Sequence, residues 1–167
     1  LAACPNCRLI GPAASDLDYR AGWRWLRAWY TEIGRMGLRP PDVAAIHTYL
    51  GEPPNLIVDS LFHMLNTFPN APKTAWVTEF ASAEPSQAAK MIAYYEGEER
   101  IEHFFWFPPR NPAGWGWEPL ALVGSNGNLT PVGEVYRGWA NAAQDAYPAP
   151  VGEIYSGQSN AALDAYP

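Results

Sequence analysis

The chain has 167 residues, of which 48% are hydrophobic and 17% charged. That balance suits one folded domain with a sizeable core and excludes a disordered segment. A net charge of −6 without any clustered Lys or Arg excludes nucleic acid as a partner, and no apolar run is long enough to span a membrane.

The N-terminus shows no signal-peptide pattern, and the first residue is Leu1 rather than Met, which points to an upstream piece removed or omitted. Two cysteines form CPNC at Cys4 and Cys7. Four readings apply: a redox pair, half of a zinc site, a small local disulfide, or two inert thiols. No second Cys pair follows, and the apparent strand comes after the motif rather than before it. A structural disulfide or an inert pair is therefore favoured, with no metal site and no cofactor.

The first strand is RLIGP, Arg8 to Pro12, and Ala13 to Asp18 form the loop after it. A helix follows over Tyr19 to Met36, with Trp23, Leu26, Tyr30 and Ile33 at helical spacing. Gly37 supplies a stop and Pro40-Pro41 prevents continuation. The second strand is VAAIHTY, Val43 to Tyr49, followed by a Gly/Pro loop and a helix over Asn55 to Phe68.

The third strand is Ala75 to Thr78, ending one residue before the carboxylate of Glu79. Pro85-Ser86 opens a helix to Glu96, and IEHFFWF, Ile101 to Phe107, is the fourth strand. A long loop rich in Pro, Gly and Trp then contains a short element, Leu120 to Val123, and an Asn126-Gly127 turn. A last helix starts near Pro131. Strand and helix alternate four times, the pattern of a βα fold with a parallel sheet.

The tail repeats itself. VGEVYRGWANAAQDAYP, Val132 to Pro148, recurs in register as VGEIYSGQSNAALDAYP, Val151 to Pro167, with Gln158 in place of Trp139. Two units are too few for a solenoid, so this reads as a duplicated terminal helical segment. The domain division expected is 1–148 for the βα part and 149–167 for the second copy.

Eight Trp, nine Tyr and six Phe suit both core packing and a stacking surface for sugars. In parallel βα folds the strand C-termini build the site. Here those ends are GPAASDLD, HTY, TEF and WF. His63 and His103 fall inside elements and read as structural, and Asn128-Leu129-Thr130 fits a glycosylation tripeptide of little weight.

The order GPA, HTY, WVTEF, FFWF and GNLTPVGEVY over residues 8–140 resembles the C-terminal half of a clan A glycoside hydrolase barrel. The nearest family is the glycosyl hydrolase catalytic core family of β-1,3-glucanases (family 128). The resemblance implies an α/β fold, strands five to eight of a TIM (β/α)8 barrel. It makes Glu79 the catalytic nucleophile, with His47 and Tyr49 lining the sugar site beside it. It makes Trp106 the aromatic platform, while Trp115 and Trp117 in GWGWEP look like subsite walls or a lid.

These roles are chemically coherent. A nucleophilic carboxylate must stay ionised, and hydrogen bonds from Tyr or His favour that form against desolvation. Glycoside hydrolysis needs a second carboxyl group as proton donor. In the resembled family that donor is a Glu at the end of strand four, which would lie before Leu1. Asp16, Asp18, Glu52, Glu84 and Glu118 are substitutes in loops after strands, without a motif behind them.

Four βα units fall short of the roughly 250 residues of a full barrel, so a second half-barrel, another fragment or a second copy, is the expected partner. The expected function is retaining hydrolysis of a β-linked glucan outside the cell. The alternative is a non-catalytic sugar-binding or self-assembling half-barrel.

Overall fold

A computed structural model describes residues 7–14, 20–49, 53–110, 116 and 118–146. Two compact units divide the chain, Leu1–Tyr136 and Arg137–Pro167. The second copy of the tail repeat, Trp115, Trp117, Cys4, Asp16, Asp18 and Glu52 lie outside the described residues. Cys7 is disulfide-bonded rather than a free thiol.

The architecture is mixed α/β. Helix α1 spans Arg20–Arg35, β1 Ala44–Thr48, α2 Pro54–Leu65, β2 Ala75–Phe80, α3 Pro85–Gly97, β3 Ile101–Trp106 and α4 Pro131–Ala146, with a 3-10 turn at Glu118–Leu120. The three strands form a parallel sheet in the order β1-β2-β3. The expected first strand is reduced to one parallel bridge, Ile10 to Val43. Its backbone ties include the Val43 N–H and Asp42 N–H to the Leu9 carbonyl and the Gly11 N–H to the Val43 carbonyl, and the Leu9 N–H donates to the Asp42 carboxylate at 2.8 Å. Gly11 and Pro12 weaken a ladder, one by entropy and the other by lacking a donor.

Helix ends follow the local chemistry. Gly37, at φ 64°, closes α1 in a Schellman pattern: Leu38 N–H donates to the Ile33 carbonyl and Gly37 N–H to the Gly34 carbonyl. Helices α2, α3 and α4 each begin on a proline, whose missing N–H costs nothing in a first turn. Thr130 caps α4 by accepting from the Gly133 N–H at 3.1 Å, and its hydroxyl donates to the Ala121 carbonyl at 2.6 Å. Gly133 permits this seat, since a Cβ there would stand 2.0 Å from the Leu122 carbonyl oxygen.

One face of the sheet packs on helices. Ala44, Ile46, Ala75, Val77 and Phe80 are buried with Ile57, Val58, Leu61, Leu65, Ala88, Ile92 and Tyr95. Arg100 ties this layer together through Asp59, at 2.7 Å, and Glu98, at 2.7 Å, with its guanidinium over the Phe62 ring.

The opposite face carries Trp76, His103 and Phe105, whose rings meet edge-on or tilted; Phe105 is 46% exposed. Below them lies a polar plug. Glu102 is the extra residue where the β3 register jumps, Ala75 facing Ile101 and Trp76 facing His103. Its carboxylate accepts from both Arg8 guanidinium nitrogens, the Thr74 hydroxyl and the Trp76 indole N–H. Those donors, Arg8 foremost, hold its pKa at about 2 against the opposing effect of burial.

Two predictions follow from this packing. Gly133→Ala should cost about 2 kcal/mol or more, because its obstacle is backbone that cannot rotate away, read as a lower urea midpoint with an unchanged slope. The Glu102 pKa is depressed on folding, so its stabilisation is present above the ordinary value of 4.5 and is lost as pH falls through about 2. The thermal midpoint of Glu102→Gln should therefore lie below that of the parent at pH 7, with the gap narrowing from pH 4.5 towards 2.

Candidate active site

The carboxylate of Glu79 faces the open side of the sheet because β2 carries one extra residue. Ile46 faces Val77, but the next pair is His47 with Glu79, leaving Thr78 unpaired towards β1. The same break shows towards β3, where Val77 faces Phe104 and Phe80 faces Trp106. Regular alternation would put Glu79 on the buried face with Ala75 and Val77. The bulge inverts it: Phe80 becomes fully buried, and Glu79 stays 31% exposed on its side chain. Thr78 braces the bulge, its hydroxyl donating to the Ile46 carbonyl at 3.3 Å.

Three of the expected residues meet here. The Tyr49 hydroxyl donates a hydrogen bond to Glu79 Oε2. His47 Nδ1 stands 3.3 Å from the same oxygen, off the alignment of a hydrogen bond, and is buried without a hydrogen-bond partner among the described residues. The two rings are edge-on at 6.1 Å. Glu79 Oε1 has no partner among the described residues.

Burial lowers the His47 pKa, with the Glu79 charge opposing the shift, so the imidazole is neutral at pH 7. Burial, and then the bond to Glu79, push the Tyr49 phenol up. Tyr49 therefore stays a proton-bearing donor across the working pH range.

A tether behind the sheet sets this geometry and was not singled out by sequence reasoning. Thr48, between His47 and Tyr49, turns to the helix side, and its hydroxyl bonds the Tyr95 hydroxyl of α3; both are buried. Tyr95 also packs on Phe80 at 5.3 Å, so one α3 side chain steadies both strand ends. The HTY and TEF ends could have pointed to it only through their alternation, which places Thr48 inward.

Trp106 joins the other side of this packing. It is 7% exposed, lies 5.0 Å from Phe80 and 5.8 Å from Tyr136, and donates its indole N–H to the Leu120 carbonyl at 2.7 Å. Its described contacts are thus with the buried cluster.

Of the substitute acids, Glu84 and Glu118 are among the described residues. Glu84 is the exposed N-cap of α3. Glu118 accepts the Ser125 N–H at 2.8 Å, which lowers its pKa. Among the described residues no group of His, Cys, Asp and Glu is disposed to hold a metal ion, and no helix is long and apolar enough to cross a membrane.

Solved structures with this fold include a family 128 (subgroup II) endo-β-1,3-glucanase from Pseudomonas viridiflava, at 24% identity and TM-score 0.58. Its counterpart from Sorangium cellulosum matches at 24% identity and TM-score 0.55. Each match covers 81% of this chain and 56% of the other, so the chain spans little more than half the length of those structures. No curated protein sequence matches it. The model of the glycosyl hydrolase catalytic core matches residues 1–136, and the chain belongs to that family.

Proposed function

We propose that the chain supplies the nucleophile side of a retaining glycoside hydrolase acting on a β-linked glucan, β-1,3-glucan first. The observation that carries this reading is the Tyr49–Glu79–His47 cluster at two adjacent parallel strand ends, in a chain of this family. Tyr49 and His47 crowd Oε2, which leaves Oε1 to attack the anomeric carbon. The glycosidic C–O bond breaks as a second carboxyl group protonates the departing oxygen, and water then releases the sugar from Glu79. The neutral His47 avoids fixing the carboxylate in a closed ion pair while still lining the sugar position. Trp115 and Trp117 would wall the subsites, and Trp106 would support them from the buried side. Action on a polymeric glucan fits an extracellular setting.

The proton donor is the unassigned part. It comes either from Asp16, Asp18 or Glu52 in the loops after strands, or from a complementing half-barrel that also covers Trp76, His103 and Phe105. We favour the second source, because an exposed aromatic sheet face beside a strand edge unpaired among the described residues is costly to leave open to water. A binding protein is the second reading, since among the described residues the partners of Glu79 are Tyr49 and His47 and include no carboxyl group.

Release of reducing ends from β-1,3-glucan tests the catalytic reading. Glu79→Gln should lower kcat by about a thousandfold or more, and Tyr49→Phe by roughly ten- to a hundredfold, the worth of one hydrogen bond to a charged group. Glucan binding without release, unchanged in Glu79→Gln, would establish the binding protein. Complementation by a second copy predicts a solution mass of twice 18.5 kDa at micromolar concentration. Hydrolysis by a species of 18.5 kDa would rule that copy out.

A further inference from the structure

A second groove lies between α1 and α2, apart from the strand ends and sharing no residue with the Glu79 cluster. It encloses about 410 Å³ and is lined by Trp23, Arg27, Asp59, Ser60, His63 and Met64. Trp23 and Arg27 are one helical turn apart on α1, and Asp59, Ser60, His63 and Met64 fall on one face of α2. Met64 is buried and forms an apolar floor, and Trp23 is half-buried. Arg27, Ser60 and His63 are exposed.

The polar side chains around the groove are open to solvent. Asp59 is held by Arg100 at 2.7 Å from outside the groove. Among the described residues, the side chains of Trp23, Arg27, Ser60 and His63 make no hydrogen bond, ion pair or ring contact. An indole beside a floor of thioether suits a flat apolar face. The guanidinium, hydroxyl, imidazole and carboxylate around it give donors and acceptors together. A ligand that presents an apolar face and a rim of hydroxyls meets both demands, which is the chemistry of a pyranose. The volume is that of an ordinary small-ligand site, about 300–1,000 Å³. A simple anion would use Arg27 and His63 but leave Trp23 without a role and face Asp59.

We propose that this α1–α2 groove is a non-catalytic binding site for a β-linked gluco-oligosaccharide, holding the polymer whose cleavage is assigned above to Glu79. The proposal rests on that assignment for the identity of the sugar. Its function would be to keep insoluble glucan near the strand-end site, raising local substrate concentration by a second point of attachment.

The test uses the full chain carrying Glu79→Gln, so that sugar is not consumed. A β-1,3-linked glucohexaose is titrated while the indole N–H resonance of Trp23, identified by its loss in Trp23→Phe, is followed. The expected result is a saturable shift of that resonance. Retention on insoluble β-1,3-glucan should be weakened about tenfold by Trp23→Ala, equivalent to about 1.4 kcal/mol. Arg27→Ala, at an exposed helix position that leaves folding intact, should weaken it in the same direction. A Trp23 resonance unmoved by the hexaose, one that moves with inorganic phosphate instead, or retention indifferent to both substitutions overturns the groove. If the groove binds as expected while the parent chain releases no reducing ends, the catalytic reading fails and the groove stands.

Discussion

The single extra residue at Thr78 is the constraint on which the site depends. Without it, strand alternation would drive the Glu79 carboxylate into the layer of Val77, Ile46 and α3, at a cost of several kcal/mol for an unpaired buried charge. Phe80 would meanwhile turn out to solvent and forfeit on the order of 2 kcal/mol of burial. The bulge satisfies both preferences at once. It costs one unpaired position in the ladder, braced by the Thr78 hydroxyl on the Ile46 carbonyl. Bulges near functional residues commonly re-aim one side chain in this way.

The two faces of the strand ends are consequently coupled. On the helix side, Phe80, Thr48 and Tyr95 form a buried knot with Phe104 and Trp106 around it. On the open side, Glu79, Tyr49 and His47 share one oxygen. Packing behind the sheet therefore sets the geometry in front of it, and a carboxylate held by a neutral donor keeps its other oxygen aimed. At the other end of the sheet, the Arg8–Glu102 plug with Trp76 and Thr74 gives the open face a polar anchor beneath its aromatic rings.

Much of this was legible beforehand, for identifiable reasons. Helix boundaries fell within a few residues because they are local: Gly37, Pro54, Pro85 and Pro131 act within one turn. HTY and WVTEF named His47, Tyr49 and Glu79 correctly as neighbours because parallel strands bring consecutive ends to one rim. The strand expected at Arg8 to Pro12 shrank to a bridge, since its Gly-Pro end cannot sustain a ladder. The resemblance made Trp106 the aromatic platform, and only the register with Phe80 shows which face of the sheet its ring takes. A motif carries residue identity; it does not carry the parity of a bulged strand.

The sequence by itself determined the family, the alternation of strands and helices, and the residue types at the rim, because these depend on local patterning and on short motifs. The tertiary structure decided which way those residues point. The extra residues at Thr78 and Glu102, the Thr48–Tyr95 tether and the groove between α1 and α2 all arise from pairing between segments distant in the chain. Side-chain direction in a sheet depends on register, register depends on partners, and no single strand contains that information.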